Sequence, residues 1–133
     1  MTDADDPFTD DEKDLPDDEA TEIHELIIER HELIMRSGTG AGRVKTLPYI
    51  KLHGVPGSPS DVLRLGNVYF RRPEQGIEPP RLVTDVRTPY VSLFVWIDHL
   101  PIVLAQLSQS RRRVVFRRFN SGNLRAEIIA GSG

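Results

Sequence analysis

The chain has no cysteine among its 133 residues. This absence excludes disulfide bonds and thiolate zinc sites, and it is typical of proteins that work in a reducing compartment. The first residues, MTDADDPFTDDEKDLPDDE, have neither the basic region nor the apolar region of a secretory signal peptide. We therefore expect a cytoplasmic protein.

Apolar side chains are also scarce: they make up 38% of the sequence, whereas globular domains have roughly 45–50% when glycine is counted as well. The longest apolar stretch, residues 90–107, is interrupted by Asp98, His99 and Pro101. Because charges near the centre of a membrane span are costly, the sequence predicts no membrane-spanning segment. Its length predicts one folded domain with one modest core.

Charge is distributed unevenly along the chain. Residues 1–37 hold fourteen acidic and three basic side chains, a net charge of −11, and residues 38–133 hold six acidic and fourteen basic ones, a net charge of +8. This asymmetry is typical of a basic module with an acidic extension, although acidic residues also serve simply to keep a protein soluble. We predict a disordered acidic tail (1–17), an acidic amphipathic helix (18–37), a glycine-rich hinge (38–42) and a basic α+β domain (43–133).

The helix is predicted because apolar residues recur at helical spacing, acidic residues crowd the first turns and Gly38 can end the helix. The segment IHELIIE is followed directly by its near-copy RHELIMR, so two heptads present one apolar seam. Sustained coiled coils need three or four heptads, and the helix is therefore expected to dock on the body of the protein or on a partner. The partner-binding residues on this seam are Ile23, Leu26, Ile27, Leu33 and Ile34.

From residue 43 onward the pattern alternates as strands do. In RVKTLPYIKLH, Pro48 favours an edge strand. One face carries Val44, Thr46, Ile50 and Leu52, and the other carries Arg43, Lys45, Tyr49, Lys51 and His53. Further strands are predicted over 67–72, 81–87 and 90–97, the last being apolar on both faces and therefore central.

A helix capped by Asp98 is predicted to run to Gln109, with an apolar stripe formed by Leu100, Val103, Leu104 and Leu107. A hairpin closes the chain. This order of elements predicts an α+β fold, in which a mixed or mainly antiparallel sheet of about six strands is backed by one helix.

The closing hairpin, RRRVVFRRFNSGNLRAEIIAG, has a register that depends on its loop, since a slip of one residue sends every side chain to the opposite face. A three-residue loop over 120–122 gives Gly122 the left-handed position that such loops favour. The core face then holds Val114, Phe116, Leu124, Ala126 and Ile128. The opposite face holds Arg111, Arg113, Val115, Arg117, Phe119, Arg125 and Ile129, offset only by Glu127.

Four arginines beside an exposed aromatic ring indicate an anionic ligand, because like charges that oppose each other across strands repel. One such anion is the phosphate backbone of a nucleic acid, whose unpaired bases also stack on aromatic rings. The other is the acidic segment of the chain itself, and the simplest alternative is that these arginines pair with nearby acids or lie in water. The predicted nucleic-acid-binding residues are Arg43, Lys45, Tyr49, Lys51, Arg111, Arg113, Arg117, Phe119 and Arg125.

No motif in the sequence identifies a reaction. The glycine-rich segment SGTGAGR follows a predicted helix and precedes a predicted strand, the reverse of the order in phosphate-binding loops. His24 and His31 are expected to be exposed on the acidic helix, about 10.5 Å apart at 1.5 Å per residue, too far to share one metal without further ligands. Asp98 and His99 lack a serine nucleophile in an elbow motif. We expect no catalytic residues, no metal and no cofactor.

The sequence therefore predicts a non-catalytic accessory or regulatory protein that binds nucleic acid, prefers single strands and forms oligomers. Its acidic segment would gate access to the basic face or recruit a protein partner. The alternative is a structural or adaptor subunit of a larger assembly, of the phage or secretion type, whose acidic helix docks on a neighbouring protein.

Overall fold

The computed structural model of the chain describes residues 19–37, 39–40, 43–44 and 47–131. The predicted acidic tail, part of the predicted hinge, all of Lys45 and the side chain of Arg43 lie outside the described residues. The elements are β1 (Ala20–Ile34), β2 (Thr39–Gly40), β3 (Arg43–Val44), β4 (Tyr49–Pro56), β5 (Leu65–Arg71), β6 (Arg81–Val83), β7 (Tyr90–Trp96), α1 (Leu100–Leu107), β8 (Arg111–Phe119) and β9 (Leu124–Gly131).

Seven strands form one mixed sheet in the spatial order β6-β7-β5-β4-β1-β8-β9, and β2 pairs with β3 in a separate ribbon. Neighbours in the large sheet are antiparallel except β5 and β7, which are parallel. Among the described residues, the α+β class and the single helix that backs the sheet are confirmed, whereas the sheet has seven strands where about six were expected. In the described part of the chain, no helix is long and apolar enough to cross a membrane.

The acidic segment is a strand where a helix was predicted. Residues 20–34 form β1, which pairs with β4 on one side and β8 on the other and so lies inside the sheet. The pattern is ambiguous because Leu26 and Ile28, which are buried on one face, alternate with Glu25 and Ile27 as a strand requires. Pairing on both sides satisfies the backbone and overrides local helix propensity. The apolar residues that were predicted to form one partner-binding surface therefore do not share a face. Leu26 is fully buried, whereas Ile23 is 57% exposed.

The core lies between the sheet and α1. Leu26, Ile50, Leu52, Val68 and Phe116 from the strands pack with Val103 and Leu107 of the helix. The predicted apolar stripe of α1 is therefore correct. The helix nevertheless begins at Leu100 after a 3-10 turn over Ile97–His99, so Asp98 is not its cap.

Two strand positions also differ from expectation. Pro48 precedes β4, which lies between β1 and β5 and is not an edge strand. Strand β7 is paired on both sides, with β5 and β6, although it is second from the edge of the sheet.

The closing hairpin has the predicted register. Val114 lies opposite Ile128 and Phe116 opposite Ala126. Gly122 has φ of +93°, and its N–H donates to the Phe119 carbonyl over 2.9 Å. The local turn chemistry is sufficient to set this register because a glycine in the left-handed region closes a three-residue loop.

One arginine of the hairpin has a structural role that sequence reasoning missed. A β-bulge interrupts β1 at Glu29, and the Arg112 guanidinium donates to the carbonyls of Ile28 (3.3 Å) and Glu29 (2.7 Å) beside it. The same guanidinium donates to the Leu107 carbonyl at the end of α1. Arg112 thereby joins the centre of the sheet to the helix.

Candidate nucleic-acid interface

The face of the sheet opposite α1, here called the outer face, carries most of the predicted site residues. Paired residues on adjacent strands share a face, so the register defines which side chains are neighbours. Arg113 and Arg117 of β8 and Tyr49 and Lys51 of β4 all lie on this face. Because β1 separates β8 from β4, the structure divides the predicted site into two regions.

The first region, here called the hairpin region, consists of the outer face of β8 and β9. Its arginines already have anionic partners: Arg113 lies 2.5 Å from Glu25 of β1, and Arg117 lies 2.6 Å from Glu127 of β9. The Arg125 guanidinium lies 5.3 Å from the centroid of Phe119, a cation–π distance. Arg113 and Arg117 therefore pair with acidic residues of the chain itself, which is the simplest alternative considered for the sequence.

Acidic residues of β1 provide part of that charge balance. On the opposite face of the sheet Glu22 accepts a hydrogen bond from Arg118 Nε over 3.0 Å. On the outer face Glu32 lies 2.7 Å from His53 and 3.0 Å from Arg30, and these two hydrogen bonds, His53 first, lower the pKa of Glu32. The acidic side chains of β1 thus offset basic side chains on the two neighbouring strands, β4 and β8.

The second region contains an aromatic row that crosses three strands. Tyr49 of β4 pairs with Tyr69 of β5, which pairs with Phe94 of β7. The ring centroids are 5.7 Å and 5.5 Å apart, and the ring planes are inclined by 26° and 24°. At the first end of the row, the Arg36 guanidinium lies 4.6 Å from the Tyr49 centroid. Aromatic rings and a guanidinium therefore form one continuous stack.

Beside this row lies a groove of about 610 Å³, here called the aromatic groove. Its walls hold four arginines, Arg36, Arg71, Arg72 and Arg81, and one acidic residue, Glu78. The Glu78 carboxylate lies 3.6 Å from Arg71 and 3.9 Å from Arg81, longer than the ion pairs of the hairpin region. The excess of positive charge makes the groove suitable for an anionic ligand.

The hydroxyl of Tyr69 stays protonated at neutral pH. Burial raises its pKa, the neighbouring Tyr49 adds to the effect, and the positive charge of Arg36 only partly opposes it. Tyr69 therefore presents a neutral phenol, which both donates and accepts hydrogen bonds.

The predicted site includes Tyr49 but not its neighbours in the row and groove, Tyr69, Phe94, Arg71 and Arg81. A weak signal existed for Tyr69, because the alternation in NVYFRR places it on the face opposite Val68 and Phe70. Phe94 had none, since β7 is apolar on both faces and its outward side could not be assigned. Lys51 lies on the outer face as predicted, two residues along β4 from Tyr49 of the aromatic row.

A second polar cluster lies on the opposite face, around His24. Nδ1 of His24 lies 2.9 Å from Asp61 Oδ1, and Nε2 lies 2.7 Å from Glu22 Oε2. The His24 side chain is only 18% exposed, which corrects the prediction that it is exposed on a helix. Among the described residues no group of three or more histidine, aspartate or glutamate side chains is placed to hold a metal ion.

Comparisons with family models, curated proteins and solved structures found no match to this chain.

Proposed function

We propose that this protein is a non-catalytic accessory protein that binds single-stranded nucleic acid on the outer face of its sheet. The observation that carries the proposal is the aromatic row of Tyr49, Tyr69 and Phe94 beside a groove walled by arginines. Proteins that bind single strands combine a basic groove for the backbone with aromatic side chains on which bases stack. Bases of a duplex are already stacked on each other, and the row therefore favours unpaired strands.

The two regions contribute differently to this binding. In the second region, bases stack on the row, while Arg71 and Arg81 of the aromatic groove and the neighbouring Lys51 meet phosphates. In the hairpin region, Arg111 and Arg125 extend the basic surface, whereas Arg113 and Arg117 would have to exchange their carboxylate partners for phosphates. Binding energy is therefore concentrated in the aromatic groove, and the hairpin region supplies a weaker, salt-sensitive contribution.

The acidic residues before β1 would limit access to the hairpin region. Residues 1–18 hold nine acids and one lysine, a net charge of −8. They join the described chain at Glu19, whose carbonyl accepts a hydrogen bond from the Asn120 N–H in the hairpin loop over 2.8 Å. Strand β1 therefore starts beside the hairpin, where Ala20 lies opposite Phe119, and we propose that the acidic residues 1–18 compete with phosphates there. A protein starting at residue 19 should accordingly bind nucleic acid more tightly than the full chain.

Fluorescence anisotropy with a labelled single-stranded oligonucleotide and its duplex, across a salt series, tests the proposal. We expect tighter binding of the single strand and an affinity that falls linearly with salt on logarithmic scales. The double variant Tyr69→Leu, Phe94→Leu should bind more weakly by about 1–3 kcal/mol for each base that loses its stacking partner.

Two control variants distinguish contacts in the groove from nonspecific attraction between a basic protein surface and nucleic acid. Arg81→Gln should weaken binding more than Arg87→Gln, since Arg87 is exposed and does not line the groove. Ile102→Ala, on the exposed side of α1, should leave binding unchanged. Absence of binding at low salt by both the full chain and the protein starting at residue 19 would contradict the proposal.

A second candidate function is that of an adaptor subunit in a larger assembly. It is favoured by two apolar side chains in the middle of the outer face, Ile27 and Val55, which lie opposite each other and are 37% and 36% exposed. Exposed apolar side chains that lie next to each other are typical of protein interfaces when they belong to a larger patch. Failure to bind any oligonucleotide, together with sedimentation as a species larger than a monomer, would support this candidate.

A further inference from the structure

We infer that Glu78 occupies the phosphate position of the aromatic groove and competes there with the phosphate of a bound nucleotide. This role of Glu78 rests on the proposed function, because the ligand is the nucleic acid proposed for the same groove. Glu78 would limit the affinity of the groove for that ligand. The occupant that fits is one nucleotide of a single strand, with its base beside Phe94 and its phosphate between Arg71 and Arg81.

The backbone around Glu78 holds Arg71 in place. Arg71 Nε donates to the Gly76 carbonyl and Nη2 to the Gln75 carbonyl, both over 3.3 Å, and the Arg72 N–H donates to Gln75 Oε1 over 2.7 Å. Gly76 has φ of +75°, a conformation that side-chain-bearing residues rarely adopt, and this turns the chain back toward the groove. The Arg71 guanidinium is therefore oriented before any ligand binds, and orientation in advance lowers the entropic cost of binding.

The pairing of Glu78 with these arginines is loose. Its carboxylate lies 3.6 Å from Arg71 and 3.9 Å from Arg81, and its side chain is 45% exposed. Exposed pairs at such distances are weak, whereas the phosphodiester of a strand presents two non-bridging oxygens that a guanidinium group can bind in a bidentate manner. A phosphate can consequently displace Glu78, at a cost in affinity set by the repulsion between the two anions.

The rest of the groove matches a base. Phe94 is the last ring of the aromatic row and lines the groove, and Arg36, which covers Tyr49 at the other end of the row, lines the groove as well. Asn67 of β5 is paired with Ser92 of β7, and each lies two residues before the aromatic residue of its strand. Both also line the groove. They bring an amide and a hydroxyl to the groove, and these are groups that hydrogen-bond the edge of a base.

The test compares Glu78→Gln with Glu74→Gln. Both substitutions remove one negative charge from the same loop, but Glu74 does not line the groove. With a labelled oligothymidine at low salt, we expect Glu78→Gln to tighten binding about 3- to 10-fold, as removal of one like charge near a phosphate implies, and Glu74→Gln to change it less than about twofold. The gain should disappear when Glu78→Gln is combined with Arg71→Gln and Arg81→Gln.

A second measurement uses thymidine 5′-monophosphate and thymidine as small probes. Nuclear magnetic resonance shifts of Tyr69 and Phe94 should respond to the monophosphate at lower concentration than to thymidine, and Glu78→Gln should widen this difference. Equal tightening by Glu78→Gln and Glu74→Gln, or no change with either while the wild type binds, would overturn the role of Glu78 and leave the proposed function standing. If neither the wild type nor Glu78→Gln binds the oligonucleotide, the proposed function fails as well.

Discussion

His24 bridges two carboxylates across the core side of β1. Its ring nitrogens lie 2.9 Å from Asp61 and 2.7 Å from Glu22, and only the protonated imidazolium has an N–H donor at both positions. Burial disfavours this charge, but the hydrogen bonds to Asp61 and Glu22 outweigh burial and raise the pKa of His24. Asp61 also accepts the Glu25 backbone N–H over 2.5 Å, so the protonated ring helps to hold the loop between β4 and β5 against β1.

The raised pKa predicts a loss of stability as pH increases. The unfolded histidine titrates near about 6.5, so this stabilisation is complete below that value and is lost as pH rises through the higher folded-state pKa. Urea denaturation should show a free energy of unfolding that is lower at about pH 8.5 than at about pH 6.5, by at most roughly 1.5–3 kcal/mol, the net value of one hydrogen bond to a charged group. The His24→Gln variant should lack this dependence.

The other groups on this face of β1 whose pKa values shift do not reproduce this pH dependence. Burial, and secondarily the charge of Arg112, lower the pKa of His31, so its effect on stability has the opposite sign and falls below about pH 6.5. The pKa values of Glu22 and Asp61 are lowered, which places their titration at acid pH. The same pH dependence in the wild type and in His24→Gln would show that the bridge does not stabilise the fold.

Among the secondary-structure elements, β1 is the one whose structure differs most from the prediction. It is fifteen residues long, pairs with β8 over its first half and with β4 over its second, and bends at the bulge held by Arg112. A helix and a strand would bury different residues of the same segment. A helix would bury Ile23, Leu26 and Ile27 together, whereas the strand buries Leu26 and Ile28 and leaves Ile23 largely exposed.

Alanine substitutions in β1 distinguish these two structures. Leu26→Ala should lower the free energy of unfolding by about 2–5 kcal/mol, because it leaves a cavity at a fully buried site. Ile23→Ala should cost less than about 1 kcal/mol, since most of that side chain is already in water. Urea denaturation of both variants checks the prediction. Similar losses at the two positions would indicate a helix.

For the whole molecule, the opposite charges of the two parts of the chain are interleaved in one sheet. Acidic β1 lies between β4 and β8, and its ion pairs include Glu25 with Arg113 and Glu22 with Arg118. Exposed pairs of this kind each contribute little, but together they match β1 to its neighbours and disfavour other registers. The aromatic groove keeps an excess of positive charge, with four arginines against one glutamate.

Removing β1 should prevent folding. A protein starting at Gly38 would lose the strand that joins β4 to β8, together with Leu26 and Ile28 of the core. We expect its far-ultraviolet circular dichroism and amide proton dispersion to be those of an unfolded chain, whereas a protein starting at residue 19 should keep both signatures of the native sheet. A folded protein from residue 38 onward would show that the sheet does not depend on β1.

The elements that were predicted correctly depend on local information. The hairpin follows from its alternation and from Gly122, and α1 follows from the spacing of Val103, Leu104 and Leu107. Strand β1 was missed because its apolar spacing fits a period of two and a period of 3.6 equally well over short stretches. Only pairing with distant strands decides between them.

The sequence by itself determined the α+β class, the hairpin register, the apolar face of α1 and the separation of charge along the chain, because each depends on neighbouring residues. Only the tertiary structure decided that the acidic segment is a central strand and that Glu25 neutralises Arg113. It also decided that Tyr49, Tyr69 and Phe94 stand in one row. These features depend on which strands lie side by side, and that choice is made by burial of a shared core over long separations in sequence.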